Sequence, residues 1–319
     1  MATLSYHASH EQFSPSSLLS YVKLAEKAGF HGCHTSDHFH PWSEHQGQSG
    51  FAFSWLGAAL EATQFPFSII TAPGQRYHPA IVAQAIGTLL EMYPNRLSVS
   101  LGSGEALNEC ITGEPWPEKS VRNQRLLKCA QIIKSLLAGE EVTHSGLVRV
   151  NHAKLYTRPS TVPPLMCAAL SKETAFWAGS WSDGLLTTFQ PNGISEEIIA
   201  AFHNGGGEDK PIHMKLTFSF SRDENLARAE AHHQWRFDCI DKVKLAELTT
   251  VKDFDRATKD ISLEKVVSII PTSSCIDYFA DLIKKIETMG VDNIVLHNVG
   301  RNQEEFITEF GAELFNKLT

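Results

Sequence analysis

The stretch Gly32-Cys33-His34-Thr35-Ser36-Asp37-His38-Phe39-His40-Pro41-Trp42 carries the key to this chain. Gly32 to Ser36 is a short apolar run, which predicts a buried strand. The acid, two imidazoles and indole that follow therefore stand at a strand's C-terminal end. A second run, Arg96 to Leu101, leads in the same way into Gly102-Ser103-Gly104-Glu105-Ala106-Leu107-Asn108-Glu109. Two strand ends bearing ionisable groups predict a barrel mouth with chemistry in it.

Strand and helix signals alternate outward from these two segments. Further strands are expected at 4–7, 67–71, 164–170, 184–189, 212–221 and 293–297. Helices are expected at 16–28, 51–62, 79–92, 118–138, 194–203, 274–289 and 302–318, with another opening at Ser171. Gly29, Gly139 and Gly290 supply stops, and Pro79 fits a first helical turn. Two segments break the rhythm. Residues 140–156 alternate around Ser145-Gly146, which predicts a β-hairpin insertion, and 224–268 is polar and helix-rich without a strand signal. Eight buried strands separated by helices close naturally into a (β/α)8 TIM barrel, read as one domain over 1–319. An open doubly wound sheet would want a Gly-rich turn after the first strand, and His7-Ala8-Ser9-His10 offers none.

Composition excludes several roles. The net charge is −8 and no Lys/Arg run builds a phosphate-tracking stripe, which argues against a nucleic-acid partner. No apolar run approaches the roughly 20 residues of a membrane helix. The first residues lack a secretory pattern, so a cytoplasmic location is expected. The six cysteines form no C-x-x-C pair and sit in apolar contexts, which predicts buried free thiols in a reducing compartment.

Three constellations carry possible chemistry. Asp37, His38 and His40, with His31 and His34 nearby, could begin a metal site, making a metal-dependent barrel hydrolase one alternative. No later strand end supplies the remaining ligands, so no metal is expected. Gly102-Ser103-Gly104-Glu105 lets backbone approach a phosphate or ring, or is simply a tight turn. A carboxylate such as Glu105 facing a barrel mouth is costly unless used or paired. Ser171-Lys172-Glu173-Thr174 is either a capped helix start or an anion site.

Taken together, these residues resemble the bacterial luciferase-like flavin and deazaflavin oxidoreductases. The nearest branch is that of the coenzyme F420-dependent glucose-6-phosphate and secondary alcohol dehydrogenases. The resemblance rests on S-D-H-F-H-P-W at 36–42, R-Y-H-P-A at 76–80, A-Q-A at 83–85, Y-P-N-R at 93–96 and G-S-G-E-A-L-N-E at 102–109. It implies a TIM barrel with a small-molecule substrate, commonly a homodimer. It further implies that His38 exchanges the substrate hydroxyl proton, Trp42 lines the pocket and Glu105 exchanges a proton with the cofactor ring. Asp37 would touch that ring, while Ser103, Gly104 and Asn108 would hold the cofactor. A non-proline cis peptide near Ile69-Ile70 would bulge behind the ring.

The chain departs from the family at two places. Where the sugar-phosphate enzymes carry cations, it has Gln190-Pro191 and Ile269-Ile270, so a small alcohol or carbonyl substrate is expected instead. Where the family has two glycines beside the deazaflavin's phosphate tail, it has Leu170-Ser171. FMN, with its phosphate near Ser171-Lys172, is thereby slightly favoured over F420, and an FMN-dependent monooxygenase is an alternative activity. A cofactor-binding protein without turnover is a third reading.

Overall fold

The computed structural model describes residues 1–318. Eight parallel strands form its centre: β1 (Thr3–Ala8), β2 (Gly32–Ser36), β3 (Phe67–Thr71), β4 (Leu97–Leu101), β5 (Leu165–Ala168), β6 (Leu185–Thr188), β7 (Ile212–Phe220) and β8 (Asn293–Asn298). Each pairs with its successor, and β8 returns to β1 through Thr3↔Asn293 to Tyr6↔Leu296. The sheet is therefore closed, and the expected (β/α)8 barrel is the observed fold.

Local chemistry sets the outer helices. Ser14 accepts from Ser17 N ahead of Pro15, opening helix Pro15–Lys27. Gly139, at φ +92°, ends helix Lys119–Ala138 in the left-handed conformation that a glycine adopts without a Cβ penalty. Alternate strand residues, among them Leu4, Tyr6, Ile69, Val99, Met214, Leu216, Phe218 and Leu296, form one apolar layer with these helices. The other set faces inward and is unusually polar: Ser5, His7, His34, Ser68, Ser100, Asn293 and His297 are all buried. Branched aliphatic residues usually fill this space. Here Ser5 Oγ donates to Asn293 Oδ1 at 3.0 Å, and the Nδ1 atoms of His7 and His34 lie 3.0 Å apart.

Both insertions are present. Val142–His144 pairs antiparallel with Val150–Ala153. Helices Glu224–Trp235, Lys242–Glu247, Val251–Thr258 and Leu263–Val267 follow β7. Their Trp235, Phe237, Phe254 and Val266 form a second apolar cluster with Trp42 and Leu107, so this insertion roofs the mouth.

Two expectations need correction, and one short strand is additional. Among the described residues there is no cis peptide bond. Ile69 and Ile70 run in regular register with Thr35-Ser36 on one side and Val99-Ser100 on the other, so the ladder is complete with the trans form. The cysteines are free, but only Cys33, Cys129 and Cys167 are buried; Cys275, at a helix N-terminus, is exposed. A two-residue strand, Thr272–Ser273, pairs with Ser219 and Phe220, and is too short to leave a periodic signal. None of the described helices is long and apolar enough to cross a membrane.

Candidate active site

The C-terminal ends of β1, β2 and β4 converge on His38. Its Nδ1 lies 3.3 Å from Glu11 Oε1, and its Nε2 lies 3.9 Å from Glu105 Oε2. Neither approach is a hydrogen bond, and among the described residues the buried Nδ1 makes none. Glu11 is held firmly, accepting from Ser9 Oγ at 2.9 Å and Ser36 Oγ at 2.8 Å. Burial works against its charge, but His38, its own backbone N–H and these two hydroxyls outweigh burial and hold its pKa below the ordinary value. Trp42 sits edge-on to His38 with ring centroids 5.0 Å apart and stacks on Phe237 of the roof at 4.8 Å. His40 turns away, its Nδ1 lying 2.9 Å from Leu107 O. Among the described residues no group of three or more His, Cys, Asp or Glu side chains is arranged to share a metal ion.

A second network lies under the β2–β3 side. Asp37 accepts from Thr71 Oγ1 at 2.8 Å, Tyr77 OH at 3.2 Å and Arg76 at 3.3 Å. Arg76 also lies 3.5 Å from Glu109 Oε1, while its backbone N–H donates to Glu109 Oε2 at 2.8 Å. The guanidinium thus joins two buried carboxylates. Burial raises the Glu109 pKa and Arg76 opposes that shift. Asn108 ties the two mouth loops together. Its Oδ1 accepts from Phe39 N at 2.8 Å and His40 N at 3.1 Å, and its Nδ2 donates to Glu105 at 3.3 Å.

The remaining expected cofactor residues divide by position. Gly104 has φ +82°, and a Cβ there would lie 2.8 Å from Glu109 Cγ, so only glycine fits this turn. Ser103 Oγ accepts from Lys119 Nζ at 2.8 Å. Ile70 borders the mouth beside Gly102, whereas Ile69 is fully buried in the helix-facing layer. Ser171 caps its helix by accepting from Thr174 N. Lys172 pairs with Glu197 at 2.9 Å on the surface, and Leu170 is exposed. A cleft of about 440 Å³ opens beside His38, Ser49, Phe51, Arg76 and Tyr77.

Below the mouth lie the buried imidazoles. Burial lowers the pKa of His34 to about 3 and holds those of His7 and His297 well below the ordinary value. Lys215 of β7 shares this interior, and burial lowers its pKa against the pull of Glu11, Asp238 and Glu105. Sequence reading missed Glu11, Arg76 and Lys215 as site residues. Arg76 stood within a matching motif, and Glu11 lies three residues past β1, where an acid at a barrel mouth could have been noticed. Nothing local marks Lys215.

Comparison with known proteins agrees with this fold. The family model described as luciferase-like monooxygenase matches residues 1–293. An F420-dependent glucose-6-phosphate dehydrogenase of Microbacterium testaceum is 32% identical over 325 residues, covering 98% of this chain and 96% of the relative. The solved structure of an F420-dependent secondary alcohol dehydrogenase with an F420–acetone adduct superposes with a TM-score of 0.92 at 28% identity, covering 100% and 99% of the two chains. A monooxygenase from Streptomyces bottropensis shares the fold, with a TM-score of 0.75 at 18% identity. On the strength of these matches, the chain belongs to the luciferase-like family and is an oxidoreductase enzyme.

Proposed function

We propose that this enzyme moves a hydride between a flavin-type cofactor and a small alcohol or carbonyl compound other than a sugar phosphate. The observation that carries this reading is His38, held between Glu11 and Glu105 with a buried Nδ1 that makes no hydrogen bond. An imidazole can accept or release a proton at either ring nitrogen.

The residues at the mouth fit such a cofactor. The cleft lies within the roughly 300–1,000 Å³ of small-molecule sites. A Cβ at Gly102 would lie 3.8 Å from Ile70 Cδ1, so the glycine keeps the mouth beside Ile70 free of a side chain, and Gly104 keeps backbone rather than a side chain at the turn. Two of the three proteins named above are F420-dependent, which supports a deazaflavin; Leu170-Ser171 in place of two glycines supports FMN. When bound, the group supplies the acceptor or donor of the hydride.

The chain's own residues do the rest. His38 takes the hydroxyl proton when an alcohol is oxidised and returns it to a carbonyl. Glu11 stabilises the charged imidazole and fixes its orientation. Glu105, positioned by Asn108, would exchange a proton at the edge of a bound ring. Trp42 closes the pocket under the roof and excludes water. Asp37 supports the ring side through Arg76 and Tyr77. Ser103, Gly104 and Asn108 would hold the cofactor's neighbourhood, with Ile70 at the wall behind it and Ile69 backing that wall from the helix-facing layer. Leu170, Ser171 and Lys172 would flank its phosphate.

The test is to denature the purified protein and identify its chromophore by spectrum and mass, then to measure binding of added FMN and F420. Stoichiometric binding of one of them is expected. A protein that binds neither overturns the proposal.

A further inference from the structure

Buried glutamines with no task so far run in a chain from the barrel interior to Trp42. Gln12 stands in the loop after β1, Gln46 in the loop after β2, and Gln234 near the end of the roof helix Glu224–Trp235. They are 0%, 1% and 1% exposed, so their amides find partners only within the protein.

The chain has one direction. At its lower end Gln12 Nε2 donates to Val299 O at 2.8 Å, an atom that can only accept. Gln12 Oε1 is therefore the atom that faces His297 Nε2 at 3.2 Å, and that nitrogen must carry the proton. Gln12 Nε2 also donates to Gln234 Oε1 at 3.1 Å. Gln46 Nε2 donates to the backbone oxygen of Gln234 at 2.9 Å, and Gln46 Oε1 accepts from Trp42 N at 2.9 Å. Backbone groups thus fix both ends of Gln46. A flipped amide would set N–H against N–H and oxygen against oxygen. The loop carrying Trp42, the roof helix, the β1 loop and β8 are joined through these side chains.

The chain ends on a ring at the reacting centre. Trp42 stands edge-on to His38 with centroids 5.0 Å apart and stacks on Phe237 at 4.8 Å. Stacked rings tolerate offset. A bond at the backbone nitrogen of Trp42 sets where its side chain starts. We propose that Gln46, with Gln234 and Gln12 behind it, is a positioning residue that holds the Trp42 ring against His38. Its effect on turnover rests on the oxidoreductase reading of the same site; its effect on the ring does not. Apolar residues could fill this space, but a fully satisfied polar chain specifies a single arrangement.

The test uses the full chain with labelled histidines and follows the His38 ring-proton resonance, assigned with His38→Ala. Trp42→Phe shows how much of its shift comes from the indole. Gln46→Met should move the resonance most of the way to its Trp42→Phe position. Gln46→Glu keeps an oxygen for Trp42 N and should move it less. Turnover is read on cofactor-loaded protein with 2-propanol. Gln46→Met should lower kcat by roughly 10–100-fold with a smaller change in KM, but by less than about twofold when Trp42 is already Phe. Gln12→Leu cuts the chain at its far end, should act in the same direction, and replaces the Gln46 variants if those do not fold. A resonance unmoved in folded variants, or kcat losses that add to that of Trp42→Phe, overturns the proposal and leaves the glutamines a structural tie. Wild type that binds neither FMN nor F420 defeats the oxidoreductase reading, while the resonance, which needs no turnover, still decides how Trp42 is held.

Discussion

Glu11 Oε1 lies 3.3 Å from His38 Nδ1, an acid from one strand end facing an imidazole from the next. The carboxylate is fixed in place by two serine hydroxyls, which hold it facing the imidazole. Apo geometry of this kind often tightens when substrate binds.

His38→Ala should abolish turnover while leaving cofactor affinity within a few fold. Glu11→Gln should lower kcat by roughly 10–100-fold, because the neutral amide stabilises the charged imidazole less well. Steady-state kinetics beside fluorescence titration of the cofactor separates these effects. Activity that survives His38→Ala removes the role assigned to that residue.

Arg76→Met should cost about 3–5 kcal/mol, since it strands the buried carboxylates of Asp37 and Glu109. Urea unfolding measures the loss. A change below about 1 kcal/mol would mean that the guanidinium does not hold this network.

Asn108→Leu should destabilise the protein by about 1–3 kcal/mol, because the backbone N–H groups of Phe39 and His40 lose their acceptor. It should also reduce kcat/KM, as Glu105 loses its amide donor. Thermal melts and kinetics on the same samples test both outcomes. Unchanged stability would show that the two loops hold their positions without this tie.

Stability should fall as the pH drops below about 6.5. The interior histidines are neutral when folded, and His34 has a folded pKa of about 3, below its unfolded value. Its contribution is complete above the unfolded pKa and is lost as the pH falls toward the folded one. At pH 5 that one residue accounts for about 2 kcal/mol. Melts from pH 7.5 to 4.5 should show the decline, and His34→Gln should flatten it. Parallel curves for the two proteins would refute this cause.

Much of the architecture was legible because it is local. Apolar runs of strand length, glycine and proline stops and helical spacing recur along the chain, and they marked all eight barrel strands and both insertions. The mouth motifs at 36–42 and 102–109 pointed to one site for the same reason, since each follows a strand directly. The Ile69-Ile70 expectation came from family likeness alone, and the regular ladder on both sides of β3 corrected it.

The sequence by itself determined the barrel, the family and which strand ends carry reactive groups, because strand periodicity and contiguous motifs need no knowledge of distant neighbours. Only the tertiary structure decided the pairings: Glu11 with His38, and Arg76 between Asp37 and Glu109. Those relations arise when strands far apart in the chain close into a cylinder. The charge a side chain meets there depends on the closure, and no local pattern records it.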